Sequence, residues 1–141
     1  MKRTIILLIS IMLLGIAPVF ADLGVGFILG SPTGISVLYG NRIAGAAAWN
    51  LPGERVHLHG DVWLLHQPLV DPLDWYLGVG AKVQFAANRD EAVRAGIRVP
   101  IGVQWYFAPQ FELFGEIVPG MNLIPATRFD AEGGVGLRFH F

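Results

Sequence analysis

The chain has 141 residues, a formal net charge of −1 and no cysteine, which fits one domain and excludes disulfides and thiolate metal sites. Charged residues make up only 15% and glycines number 18, where a soluble domain carries about a quarter charged residues; something other than water is expected to face part of the surface. No block of like charges is present to attract nucleic acid.

Lys2 and Arg3 precede an apolar stretch from Ile5 to about Leu14, then Gly15-Ile16-Ala17-Pro18-Val19-Phe20-Ala21. A basic start, a short apolar core and small residues before a cut predict a secretory signal peptide over residues 1–21, with Val19 and Ala21 at the cleavage positions and Asp22 as the new start. The alternative is an uncleaved anchor. The run from Ile5 to Phe20 is about 16 residues, short of the roughly 20 that span a bilayer. Removing Lys2 and Arg3 leaves 8 basic residues against 11 acidic. Residues 22–141 are then the only domain.

From residue 23 the dominant period is two, which puts alternate side chains on opposite faces of a sheet. Eight strands are expected. The first, 23–30, sets Leu23, Val25, Phe27 and Leu29 on one face; the second, 34–40, offers Ile35, Val37 and Tyr39. An Asn41-Arg42 turn leads to the third, 43–50, with Ile43, Ala47 and Trp49. After a loop at Leu51-Pro52-Gly53-Glu54-Arg55, the fourth, 56–66, sets Val56, Leu58, Val62 and Leu64 against His57, His59, Asp61 and Trp63. The fifth, 73–85, opposes Trp75, Leu77, Val79, Val83 and Phe85 to Asp74, Lys82 and Gln84. The sixth, 94–107, opposes Ile97, Val99, Ile101, Val103, Trp105 and Phe107 to Arg94, Arg98 and Gln104. The seventh, 111–123, opposes Leu113, Ile117 and Met121 to Glu112, Glu116 and Asn122. The last ten residues, Glu132 to Phe141, alternate most cleanly, with Val135, Leu137, Phe139 and Phe141 opposite Gly134, Gly136, Arg138 and His140. Pro100 and Pro119 fall inside these strands and lack a ladder donor, so bulges or shorter strands are expected there. The second and third strands are short of the 9 to 11 residues that cross a membrane, and their ends are expected to reach into the turns.

Eight strands joined by turns, with no helical period between them, predict an all-β, antiparallel, up-and-down meander. In lipid such a sheet must close, because open edges have no partners, and eight is the smallest common transmembrane barrel. A soluble barrel with the apolar face inward, binding a small apolar ligand, is the alternative. Against it, the strand charges gather on one face with mixed signs: Asp61, Asp74, Glu112, Glu116 and Glu132 with Lys82, Arg94, Arg98 and Arg138. An eight-stranded barrel has room for little more than side chains, so bulky apolar groups are easier to place outside. Aromatic residues of the apolar face also collect at strand ends, as girdles do at membrane interfaces. Tyr39, Trp75, Trp105, Phe107, Phe111, Phe139 and Phe141 would share one rim, and Trp49 and Phe85 approach the other. The final strand, with Val135, Leu137, Phe139 and Phe141 ending on an aromatic residue, looks like the C-terminal signal read by barrel-insertion machinery.

The whole span from 22 to 141 resembles the small eight-stranded outer-membrane barrels of the OmpX and OmpA type. More closely it resembles a family of short-looped bacterial barrels, through residues 24–35 (Gly-Val-Gly-Phe-Ile-Leu-Gly-Ser-Pro-Thr-Gly-Ile), 98–103 (Arg-Val-Pro-Ile-Gly-Val), Pro119-Gly120, Leu123-Ile124-Pro125 and the Gly-rich last strand. The resemblance implies a transmembrane barrel in the bacterial outer membrane, with outer-membrane lipid, insertion machinery and periplasmic chaperones as partners. It implies no activity, since fold does not fix function.

Candidate chemistry is sparse. His57-x-His59-x-Asp61 sets three metal-capable groups on one strand face about 7 Å apart, a spacing that suits zinc; without further ligands they read instead as polar filler. The expected barrel interior is an ionic network of His57, His59, Asp61, Asp74, Lys82, Arg94, Arg98, Glu112, Glu116, Glu132, Arg138 and His140, which interlocks as a plug because unpaired charges in a confined space are costly. A narrow pore is the other reading of the same residues. Ser31 and Ser36 have no His close in sequence to activate them, and Glu112 and Glu116 stand about 13 Å apart along a strand, too far for a glycosidase pair. No enzyme, cofactor or metal is therefore expected. The loops are short, and Arg89-Asp90-Glu91 and Arg128-Phe129-Asp130 are candidates to touch lipid phosphates or a partner, or are ordinary solvated charges. The expectation is a monomeric outer-membrane protein with a structural or interaction role.

Overall fold

The computed structural model describes residues 4–10, 22–50, 55–86 and 93–141. The proposed cleavage motif, most of the 51–55 loop and the Arg89-Asp90-Glu91 charges lie outside these residues. Residues 4–10 are helical, with Ile5 to Ile9 exposed; no helix of the described residues is long and apolar enough to cross a membrane, which says nothing of strands.

Nine antiparallel strands follow: β1 (Leu23–Ser31), β2 (Thr33–Tyr39), β3 (Ile43–Asn50), β4 (Arg55–Val70), β5 (Leu73–Ala86), β6 (Arg94–Arg98), β7 (Ile101–Ala108), β8 (Phe111–Ile124) and β9 (Arg128–His140). Successive strands pair, except that β6 and β7 pair with β5 and β8 rather than with each other, and β1 pairs with β9, so the sheet closes on itself. β6 and β7 together form one stave between β5 and β8, so the ring has eight positions. The single sixth strand expected over 94–107 is therefore interrupted at Val99-Pro100. The register does not slip across the gap. In an antiparallel ladder a hydrogen-bonded pair exchanges two bonds, and each proline keeps only the carbonyl half. Gly78 N–H donates to Pro100 C=O, and Val99 N–H to Pro119 C=O, both at 2.9 Å. At Pro119 the expected break is absent: β8 runs through it, held on its other side by β9, where Pro119 pairs with Ala131.

Other boundaries also move. The fourth strand extends to Val70, with a bulge between Trp63 and Leu65 that leaves Leu64 and Leu65 both outward, so that after the inward Trp63 the inner face resumes at His66. β2 and β3 keep 7 and 8 residues and do not reach into their turns. At one end, Thr33 Oγ1 accepts from Gly30 N–H at 3.1 Å and donates to Gly30 C=O at 3.0 Å, closing the β1–β2 turn early. At the other, the turn centres on Gly40-Asn41 rather than Asn41-Arg42. Both residues take positive φ (59° and 52°), and Arg42 N–H donates to Tyr39 C=O at 3.1 Å, the mirror-image geometry that suits a twisted hairpin.

Following the strand pairs once round from Leu23, through Tyr39, Ile43, Val62 and Val79 and on to Ala131, returns to the chain about ten residues further on. With a rise near 3.3 Å and strands about 4.8 Å apart, such a stagger tilts the strands by about 40°. The cylinder is narrow, and its inward side chains must interlock. Its outer face is apolar: Phe27, Leu29, Ile35, Ile43, Leu58, Val62, Ile117 and Val135 are all exposed. The inner face buries Ser36, His57, Asp61, Lys82, Arg98, Glu112 and Arg138. The strands thus turn their polar face inward, the reverse of what a soluble barrel with an apolar interior requires.

Closure of β1 on β9 is tight. A Cβ at Gly26 would run into the Leu137 carbonyl oxygen and the Arg138 Cα across the ladder. Gly26→Val is therefore expected to destabilise the barrel by roughly 1–3 kcal/mol, read as a lower urea midpoint for unfolding in detergent. An unchanged midpoint would mean that the seam is looser than this packing.

Candidate functional site

The barrel interior is the densest concentration of functional groups. Alternation on seven strands aims them inward, and the ring brings together residues up to 102 positions apart. Two ionic layers are separated by an apolar one.

The first layer centres on Arg98, whose side chain is 1% exposed. Its Nε lies 3.0 Å from Asp61 Oδ1, an ion pair by distance that lacks hydrogen-bond geometry. Its Nη2 reaches Glu116 at 3.3 Å and its Nη1 reaches Glu132 at 3.5 Å. Nη1 also donates to His59 Nδ1 at 2.6 Å. Lys82 joins from β5, with Nζ 2.5 Å from Asp130 and 2.7 Å from Glu132. Tyr76 donates its hydroxyl to Glu116 at 2.7 Å. Gln84 Nε2 donates to His57 Nδ1 at 2.9 Å, and His57 Nε2 lies 2.9 Å from His59 Nδ1. These donors fix both rings as the Nε2–H tautomer. The His57-x-His59-x-Asp61 face is thereby turned onto a guanidinium, which occupies the place a metal would need.

The second layer lies nearer the end that carries both termini of the sheet. Glu112, fully buried, accepts from Arg138 Nη1 at 2.9 and 3.0 Å, from Gln104 Nε2 at 2.5 Å, and meets His140 Nε2 at 3.1 Å. Arg138 also donates from Nε to Ser36 at 3.0 Å and stacks its guanidinium 3.7 Å over the Phe114 ring. Ser36, one of the two serines weighed as a nucleophile, is thus tied to a cation rather than to a base. Between the layers sit Leu38, Ala44, Trp63 and Tyr76, the last two stacked at 3.8 Å.

Two residues assigned to the interior network stand apart from it. Asp74, with its side chain 36% exposed, faces His66 at 3.7 Å at the rim. Arg94 is exposed at the opposite mouth and meets no acidic group among the described residues. Sequence reading put Gln84, Gln104 and Trp63 on the polar face but left them out of the network, and it did not place Tyr76, which shares the inward parity of its strand. Asp130 was assigned to a loop because the last strand was started four residues too late.

The aromatic residues of the outer face form a chain at the rim of the termini. Trp105 contacts Phe107 (5.7 Å between centroids), Phe107 contacts Phe111 (5.9 Å), Phe111 contacts Phe139 (5.3 Å) and Phe139 contacts Phe141 (5.2 Å). Tyr39 and Trp75 lie on strands ending at the same rim. Trp49 and Phe85 both neighbour Val56 near the other end. There Phe129, 87% exposed, adds an aromatic ring that the sequence reading left in a loop.

Comparison with protein-family profiles and with curated proteins gives no match. Among solved structures the chain is similar to the N-terminal β-barrel domain of Pseudomonas aeruginosa OprF, with a TM-score of 0.56 and 16% identity, over 84% of this chain and 95% of that one. The likeness establishes the barrel architecture; it does not single out the OmpX type.

Three cations, Lys82, Arg98 and Arg138, serve five buried or half-buried carboxylates, Asp61, Glu112, Glu116, Asp130 and Glu132. Arg98 alone touches three of these. Removing one partner of a buried cluster leaves uncompensated charge, typically at 3–5 kcal/mol. Arg98→Ala is expected to cost about that much in denaturant unfolding, and adding Glu132→Gln to recover part of the loss. Strictly additive losses in the double variant would count against a shared cation.

Proposed function

We propose that this chain is an integral outer-membrane β-barrel protein with a structural or interaction role, a closed interior and no catalytic activity. The observation that carries the reading is the continuous apolar outer face around a polar interior, bounded at one rim by a chain of stacked aromatic rings. A soluble protein rarely exposes more than a few hundred Å² of contiguous apolar surface. A transmembrane barrel requires it, as a band about 25 Å tall between aromatic girdles. On a strand tilted by about 40°, the 10 or so residues between the rim and Phe85 rise roughly 25 Å.

The closed interior follows from the same residues. The shared cations cross-link β4, β5, β6, β8 and β9 through the centre of the cylinder, and Trp63 stacked on Tyr76 fills the layer beneath. An ion entering would have to displace charge pairs that are nearly free of solvent. The N-terminal segment then serves as the export signal and is removed. The final strand, ending on Phe141, is what insertion machinery and chaperones would recognise. OprF's barrel domain, from a bacterium, is a fold-level analogy in the same direction.

Expression in a bacterium with two membranes tests this. The protein is expected in the outer-membrane fraction, with a gel mobility that changes on boiling; recovery in the soluble periplasm would overturn the reading. In planar bilayers the purified protein is expected to give no steady current, and regular single-channel steps would refute the closed interior.

A further inference from the structure

The mouth opposite the chain termini holds a cavity of about 210 Å³ lined by Arg94, Asn122, Ile124, Pro125, Ala126 and Arg128. We infer that this cavity is a binding site for a phosphate group, held between the Arg94 and Arg128 guanidinium groups.

Register gives both arginines the inward parity. Arg94 pairs with Gln84, which is buried in the barrel, and Arg128 pairs with Asn122, whose amide donates to Asp130 at 3.3 Å inside the mouth. The two come from β6 and β9, on either side of the end of β8, so they approach the cavity from opposite flanks. The cations of the two ionic layers have carboxylates: Lys82 has Asp130 and Glu132, Arg98 has three, and Arg138 has Glu112. Arg94 and Arg128 have none among the described residues. The carboxylate nearest Arg128 in sequence, Asp130, is engaged by Lys82 at 2.5 Å, and those nearest Arg94, Asp90 and Glu91, lie outside the described residues.

The number of acceptor oxygens sets the ligand class. One guanidinium fork satisfies both oxygens of a carboxylate, leaving the second arginine unserved. A phosphate monoester presents three terminal oxygens and up to two negative charges, so it can accept from two forks on opposite sides. Ile124, Pro125 and Ala126 give the cavity an apolar flank. Just outside it, Leu123 and Phe129 are exposed on the outer face. The phosphate could therefore arrive on a phosphorylated lipid lying against the barrel, or as a soluble ion or ester; the recognised chemistry is the same. The lipid source rests on the membrane reading above, whereas the soluble one does not.

The test uses the full chain in dodecyl maltoside, a detergent without phosphate. Inorganic phosphate is titrated at constant ionic strength, with backbone amide shifts of residues 122–128 as the readout. In parallel, the chain is incubated with vesicles containing a bis-phosphorylated saccharolipid or its dephosphorylated form. Saturable shifts with phosphate, or retention by the phosphorylated vesicles alone, are expected, and the arm that responds identifies the source. The double variant R94Q/R128Q should weaken the response at least tenfold, while R42Q, at the opposite rim, should leave it unchanged. Boil-dependent gel mobility verifies that each variant is folded. The proposal is overturned if neither probe responds, if chloride competes as well as phosphate, or if a folded R94Q/R128Q binds like the parent. Recovery of the protein from the soluble periplasm would sink the membrane reading but leave the phosphate titration standing.

Discussion

The pairing of β1 with β9 is the contact on which the rest of the molecule depends. Without it the sheet would expose two edges and have no inside, and the alternation along each strand would separate two open surfaces. Eight consecutive pairs, from Gly24 with His140 to Ser31 with Gly133, make the seam. Its composition is tuned to the small bore. Gly24 and Gly26 on β1 face His140 and Arg138 on β9, Gly136 on β9 faces Ile28, and Gly30 faces Gly134, while further bulk lies elsewhere on the ring, in Trp63, Tyr76, Arg98 and Phe114. A side chain at Gly136 would strike the Phe114 ring, and one at Gly102 would strike Tyr76. Small opposite large is how a narrow barrel is filled without strain.

Closure also decides the electrostatics. Once polar side chains are confined away from water they must satisfy one another, and a narrow cylinder lets one long side chain reach several staves. Arg98 on β6 touches carboxylates from β4, β8 and β9, and Lys82 on β5 reaches two on β9. These links run across the bore rather than along the wall, so they complement the backbone ladder. Replacing such clusters with apolar groups can leave a protein as stable or more so. Their persistence in the interior is therefore better explained by the outer face: with apolar residues committed to the outside, period-two alternation hands the polar ones to the inside.

That alternation made the fold legible. A face of Val135, Leu137, Phe139 and Phe141 against one of Gly134, Gly136, Arg138 and His140 can belong only to a strand, and seven further segments repeat the pattern. Parity alone identified the inward groups, Trp63 among them. Strand ends were less legible. Pro100 broke a strand and Pro119 did not, although both lack the same donor, because β8 keeps an unbroken ladder with β9 on its far side. The bulge after Trp63 has no mark in the sequence. Nor could spacing tell that the two histidines would meet Arg98, which stands 39 residues from His59 and arrives there only through closure of the ring.

The arrangement also limits where function can reside. The interior is filled by cross-linked charge and stacked rings, and the outer wall is a smooth apolar face that offers little chemistry. What remains are the two mouths, and they differ. At the end of the termini, His66 faces Asp74, and Tyr106 donates its hydroxyl to Asn41 at 2.9 Å, so the polar groups of the rim are largely matched among themselves. At the far end the inward ladder of charges stops one step before it is balanced: Asp130 and Glu132 are held by Lys82, while Arg94 and Arg128 continue past them without a counterion among the described residues. Lys82, Arg98 and Arg138 are each paired with acid, and the two arginines of this mouth are the feature that packing among the described residues does not explain. A ligand met there would leave the ion pairs beneath it, from Lys82 to Arg98, undisturbed.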